Sequence, residues 1–183
     1  MHVNCNRKCV PFTQGSIILM LAEYSFEVSK NVRTGVISDT HGLLRPEALE
    51  ALARSDLIIH AGDAGKPEVL DALKKISPVI AVRGNVDRGE WAESLPENER
   101  ITVARASIYV LHDIHELDVD LAEAGIQVVI SGHSHRPSIE EKEGVLYLNP
   151  GSAGPRRFKL PVTLARLEIS AGQVRAQIIH LDI

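Results

Sequence analysis

Five short apolar stretches of this chain each run into a side chain of the kind that binds metal ions. That repetition constrains the fold more than any other feature. Residues 34–38 lead into Asp39-Thr40-His41-Gly42, and residues 56–60 into Ala61-Gly62-Asp63. Residues 79–82 lead into Arg83-Gly84-Asn85-Val86-Asp87, residues 107–111 into His112, and residues 126–130 into Ser131-Gly132-His133-Ser134-His135. In α/β sheets, ligands gather beyond the carboxyl ends of the strands. Core packing has no use for carboxylates, an amide and imidazoles at five strand ends; a convergent site does. Gly42, Gly62, Gly84 and Gly132 adjoin these groups, as expected where a loop turns sharply to aim a side chain.

The rest of the pattern sets the architecture. Residues 46–54 predict a helix with Pro46 in its first turn and Leu49 and Leu52 on one face. Residues 67–76 predict another, with Val69, Leu70, Leu73 and Ile76 at helical spacing. Continuous apolar strands alternating with amphipathic helices indicate parallel βαβ units. The second half changes style. Residues 100–104 and 107–111 form a predicted hairpin, residues 119–124 a short helix, and residues 145–148, 162–169 and 174–181 further strands, with Gly172 between the last two. The expected class is α/β, with two packed sheets and helices outside.

Length and composition fit a single domain. The chain has 183 residues, 44% apolar and 24% charged, enough to bury a core. Its formal net charge of -4 offers no basic surplus for long nucleic acid, which argues against a nuclease. The two cysteines, Cys5 and Cys9, are too few for a disulfide-built fold, and no second pair completes a zinc site. The apolar run at residues 17–22 falls far short of the ~20 residues that span a bilayer. A soluble, cytoplasmic protein without a membrane segment is expected. Residues 1–33 stand apart from the domain expected over 34–183. Three readings of them stay open: a tail, an added strand over 17–26, or a start placed too early.

Four imidazoles, two carboxylates and one amide oxygen suit first-row divalent metals. Seven donors are too many for one tetrahedral zinc and fit two ions that share a bridging group. Asp63 is the natural bridge, because a carboxylate has an oxygen for each ion.

Ser38-Asp39-Thr40-His41-Gly42, His60-Ala61-Gly62-Asp63, Gly84-Asn85-Val86-Asp87, Gly132-His133-Ser134-His135 and Asn149-Pro150-Gly151-Ser152 follow one another in this order. The ordered set resembles the calcineurin-like metallophosphoesterase family, most of all its short bacterial and archaeal phosphodiesterase branch. The resemblance implies a sandwich of two mixed sheets flanked by helices in four layers. It implies a first ion on Asp39, His41, Asp63 and His135, and a second on Asp63, Asn85, His112 and His133. Manganese is the leading expectation, with nickel, iron, zinc, cobalt or magnesium as alternatives. The implied reaction is hydrolysis of a small phosphoester by a hydroxide activated between the ions, with Asp39, Asp63, Asn85 and His112 as the catalytic set.

Two departures from the family pattern matter. Val86 stands where many members carry a histidine that protonates the leaving group, which points to phosphodiesters or esters with good leaving groups. The branch's His-Gly-His becomes His112-Asp113-Ile114-His115, which leaves the role of His115 open. Asn85 and Arg156 are the candidate substrate contacts, and Arg157 shares the chemistry of Arg156. His60 is read as a supporting or packing residue. Asp87 either orients the Asn85 loop or caps a turn. The turn at Asn149 is expected to brace a ligand loop, and Trp91, Leu95 and Pro96 to pack a loop. The competing function is a non-catalytic scaffold, since the small retromer subunit is similar in fold and works through partner surfaces. A homo-oligomer is left open.

Overall fold

A computed structural model of the protein describes residues 31–183. Cys5, Cys9 and the strand considered over 17–26 lie outside these residues. The first sheet has the order β10-β9-β1-β2-β3. Its centre is parallel: β1 (Val32–Ile37), β2 (Leu57–His60) and β3 (Val79–Ala81) are joined through α1 (Pro46–Leu52) and α2 (Pro67–Lys74). β9 (Thr163–Ser170) and β10 (Gln173–His180) extend it antiparallel beside β1. The second sheet has the order β4-β5-β6-β8-β7. There β5 (Ala106–Leu111), β6 (Val128–Ile130) and β8 (Val145–Asn149) run parallel, and β4 (Asn98–Val103) and β7 (Ser138–Lys142) close the edges antiparallel. Both sheets are therefore mixed, as expected.

Strand alternation builds the layers. Leu57 and Ile59 of β2, and Ile108 and Val110 of β5, face the core between the sheets. Ile58 points the other way, onto Leu52 and Leu73 of the two helices. Tyr109 and Leu111 point to the opposite outer face, with Ile126 and Val129. That face is covered by the segment carrying Leu117, Val119 and Leu121, not by a full α-helix.

The helix expected over 119–124 is a single turn. Ala124 N donates to Asp120 O at 2.9 Å, while the Asp120 carboxylate accepts from Ala122 N and Glu123 N, both at 3.0 Å. Gly125, at φ 63°, then ends the turn. Asp120 caps it, and too few residues follow to propagate a helix. Other boundaries also moved. β1 begins at Val32, the two main helices stop at Leu52 and Lys74, and β6 spans only Val128–Ile130. β7 was not anticipated, because its Ser-Ile-Glu-Glu-Lys sequence is a charged, largely exposed edge without an apolar face. A short helix α3 (Glu90–Glu93) and a 3-10 turn (Ile114–Glu116) were also missed. Among the described residues, no helix is long and apolar enough to cross a membrane.

Packing of α1 onto the sheet depends on Gly35. A methyl group there would run into the Leu52 side chain and approach Ser55 Oγ to 2.8 Å. Gly35→Ala is therefore expected to cost about 1–3 kcal/mol of overpacking strain, read as a lower urea midpoint at unchanged slope. A midpoint equal to the parent protein's contradicts this packing.

Candidate metal centre

The seven side chains singled out in the sequence meet at one place, where parallel strands of both sheets end. Asp39 and His41 follow β1, Asp63 follows β2 and Asn85 follows β3; His112 follows β5, and His133 and His135 follow β6. Backbone hydrogen bonds tie these ends together. Asp39 N donates to Gly62 O at 3.1 Å, His41 N to Asp63 O at 3.0 Å, and Gly132 N to His112 O at 2.9 Å. The local backbone is strained. Asp39, His41, Asp63, His133 and His135 are five of the ten non-glycine residues at positive φ among the described residues. Each such residue costs roughly 1–3 kcal/mol, a strain that collects at functional sites. Two glycines make the convergence sterically feasible. At Gly62 a Cβ would stand 2.5 Å from His112 Nδ1, and at Gly84 it would strike the Asp63 carboxylate.

Each carboxylate is held by one oxygen and presents the other. Asp39 Oδ2 accepts from Ser38 Oγ at 2.6 Å and from His133 N at 3.1 Å. Its Oδ1 is buried without a hydrogen bond, although His135 Nε2 lies 3.1 Å away. Asp63 Oδ1 accepts from Val86 N at 2.9 Å, while Oδ2 lies 3.4 Å from His112 Nε2 and 4.0 Å from His41 Nδ1.

Two clusters result. In the first, His41 Nε2 stands 3.3 Å from His135 Nε2 and 3.8 Å from Asp39 Oδ1. Donors held 2.0–2.1 Å from a tetrahedral ion stand about 3.3 Å apart, so these three atoms have close to the spacing of ligands around one cation. In the second, His112 Nδ1 donates to Ala61 O at 2.8 Å, leaving Nε2 free toward Asp63 and toward Asn85 Oδ1 at 3.1 Å. Asn85 Oδ1 also meets His133 Nδ1 at 3.0 Å. Asp39 adjoins this second group as well, with one ligand atom each of Asp39, Asp63 and His112 within 4.8 Å of one another. Beside it opens a cavity of about 350 Å³ lined by Asn85, His112, His133, Asp113, Arg83 and Glu97 among others. The donor set and the unpartnered Asp39 oxygen fit divalent cations.

Burial and charge set the protonation. Burial pushes the His112 imidazole down, but the Asp63 carboxylate and the Ala61 carbonyl outweigh it and raise its pKa to about 9. Burial pushes Asp63 up, yet His112 and the Val86 N–H hold it below the usual carboxylate value. Burial also lowers His41, which Asp63 and Asp39 oppose and Arg157 reinforces.

Supporting residues brace the loops. Asp87 accepts from Asp63 N at 3.1 Å, Gly84 N at 2.9 Å and Gly65 N at 2.7 Å, so it orients the Asp63 and Asn85 loops together. Asn149 Nδ2 donates to Gly132 O at 2.6 Å and Ser134 Oγ at 3.1 Å, bracing the loop of His133 and His135. His60 is fully buried behind the centre, and burial lowers its pKa to about 4. Its Nε2 meets Thr40 Oγ1 at 3.0 Å. Trp91 and Leu95 pack against the helix-side core.

Sequence reasoning gave no separate role to Ser38, to Ser152, whose hydroxyl donates to Asp39 O at 2.9 Å, or to Asp113. Asp113 Oδ2 lies 3.5 Å from His133 Nε2. His115 is exposed, with its backbone N bonded to Asp113 Oδ1 at 3.0 Å. Arg157 Nη2 lies 3.4 Å from His41 Nε2. Arg156 is exposed.

Comparison with known proteins places the chain among similar sequences and folds. Residues 32–172 match the family model of the calcineurin-like phosphoesterase superfamily domain. A probable metallophosphoesterase of Methanothermobacter thermautotrophicus is 37% identical over 157 residues, covering 80% of this chain and 91% of that protein. The solved structure of an archaeal phosphodiesterase superimposes with a TM-score of 0.66 at 25% identity, over 80% of this chain and 99% of that one. Vacuolar protein sorting 29 of Cryptosporidium parvum gives a TM-score of 0.67 at 19% identity, over 84% of this chain and 99% of that one, a likeness of fold.

The His112–Asp63 pair makes cation binding proton-linked. The His112 pKa is raised from 6.5 to about 9, so in the metal-free chain the imidazolium's contribution is present at pH 6.5 and is lost as pH rises through 9, while acid strong enough to protonate Asp63 removes it from the other side. A cation that takes His112 Nε2 near pH 7.5 is expected to displace about one proton. Calorimetric titration with Mn²⁺ should give enthalpies that vary with the ionisation enthalpy of the buffer. Buffer-independent enthalpies contradict the pairing.

Proposed function

The chain belongs to the calcineurin-like phosphoesterase superfamily, and on that premise we propose that it hydrolyses phosphodiesters at a pair of divalent cations. In this reading Asp39, His41, Asp63 and His135 hold one ion, and Asp63, Asn85, His112 and His133 hold the other. The observation that carries it is the Asp63 carboxylate. Val86 N occupies Oδ1, and Oδ2 faces both His112 and His41. Asp63 would then stand between the two ions, with Oδ2 open to the imidazoles on both sides.

Two such ions supply Lewis acidity toward a phosphoryl group and lower the pKa of a water toward neutrality, with manganese the leading choice and iron, cobalt, nickel, zinc or magnesium behind it. The chain's own groups do the rest. Asp87 and Asn149 keep the ligand loops in place before substrate arrives, so little reorganisation remains at the moment of reaction. Asn85 commits its oxygen to the imidazoles and leaves its amide N–H groups for a phosphoryl oxygen at the cavity.

Diester preference follows from Val86, half-exposed beside the centre and unable to protonate a leaving alkoxide. Such an acid typically contributes ~10²–10⁴-fold in rate. The likeness to an archaeal phosphodiesterase supports the same preference. A scaffold role on this fold is the competing reading, and the complete set of donors argues against it. Metal-loaded protein that hydrolyses no phosphoester would favour the scaffold.

Metal-free protein reloaded with Mn²⁺ is expected to turn over an activated diester, bis(p-nitrophenyl) phosphate, faster than p-nitrophenyl phosphate. Equal or faster monoester turnover overturns the diester preference. Asp63→Asn is expected to lower bound metal and turnover together, by at least the ~10–100-fold typical of residues that merely support ligands. Full turnover in that variant removes Asp63 from the bridge.

A further inference from the structure

We infer that Arg157 is the phosphate-recognition residue of this site, donating to a phosphoryl oxygen that the ions leave free. The inference rests on the phosphoesterase reading and adds to it the side chain that orients the anion.

A guanidinium has donors only, so the 3.4 Å contact between Arg157 Nη2 and His41 Nε2 makes the imidazole nitrogen the acceptor. That nitrogen is the one facing His135 Nε2 and Asp39 Oδ1, at 3.3 and 3.8 Å. A cation bound there consumes its lone pair. Arg157 then has an N–H without an acceptor, beside added positive charge. A phosphoryl group that reached the ion on this side would remove both penalties: it supplies acceptor oxygens and negative charge, in a geometry that matches the guanidinium fork.

The charge of Arg157 is not spent elsewhere. Among the described residues it forms no ion pair, whereas Arg83 is paired with Glu97, Lys74 with Asp71 and Lys142 with Glu140. It is also the only Lys or Arg among them that hydrogen-bonds one of the seven donors. The segment before it is fixed to the centre. Ala153 N donates to Ser38 O at 3.1 Å, and Ser152 Oγ bonds Asp39 O. Gly154 lies so close to the Asp39–Thr40 backbone that a Cβ would stand 2.6 Å from Asp39 O. Arg45 donates to Gly154 O at 3.3 Å. Arg157 therefore emerges from backbone tied to the metal loop itself.

The test is calorimetric titration of inorganic phosphate into the Mn²⁺-loaded full chain, with metal content measured for each variant. Arg157→Ala is expected to keep the parent metal content and to bind phosphate about tenfold or more weakly, the loss typical of a charge-assisted hydrogen bond. Arg157→Lys should recover part of the affinity. Arg156→Ala should change it by less than about threefold, the effect of an exposed neighbouring charge. On a diester substrate, Arg157→Ala should raise KM more than it lowers kcat. Unchanged phosphate affinity in Arg157→Ala, an equal loss in Arg156→Ala, or loss of metal with the arginine each overturns the inference. Phosphate binding through Arg157 in a protein that hydrolyses no ester would sustain the anion site and reject the hydrolase reading.

Discussion

The centre depends on how two carboxylates are held. Asp39 and Asp63 sit just past parallel strands, almost fully buried, each with one oxygen fixed by local donors and one turned toward imidazoles. Asp63 offsets its burial by pairing with His112, but Asp39 buries an oxygen that has no hydrogen bond, which is costly unless it coordinates a metal. Nothing in the core needs that cost. The left-handed backbone at five of the site residues adds to it. Groups that destabilise a fold in concert, at one place, are explained by what they bind there. Cations bound only by the folded chain turn that liability into stability.

The two sheets divide the labour. The first delivers both carboxylates, His41 and Asn85; the second delivers His112, His133 and His135. The site therefore exists only when the sheets are packed, with the core between them setting the distance from His112 to Asp63. Asp87 and Asn149 then couple neighbouring loops, one on each side of the seam.

Much of this was legible in the sequence, and for identifiable reasons. Strands β1, β2, β3 and β5 each carry a short apolar run that stops at polar groups, so their ends marked the residues that converge. Two mixed sheets with outer helices followed from the change of rhythm midway and from the family resemblance. What stayed illegible depends on long-range context. β7 is a charged edge whose pairing with β8 leaves no apolar signature. The turn at Asp120 looked helical because its apolar spacing is right over too short a span. Asp87 carried two readings because its three backbone donors come from residues 63, 65 and 84. Arg157 and Arg156 are chemically identical neighbours, and only a contact with a residue 116 positions away separates them.

The central claim is that donors from both sheets hold a pair of cations. Anomalous diffraction from crystals equilibrated with Mn²⁺ tests it most directly. The account predicts two peaks roughly 3.5–4 Å apart, with the Asp63 carboxylate between them, one beside His41 and His135 and the other beside Asn85, His112 and His133. A single peak, or density away from the Asp63 carboxylate, would contradict it.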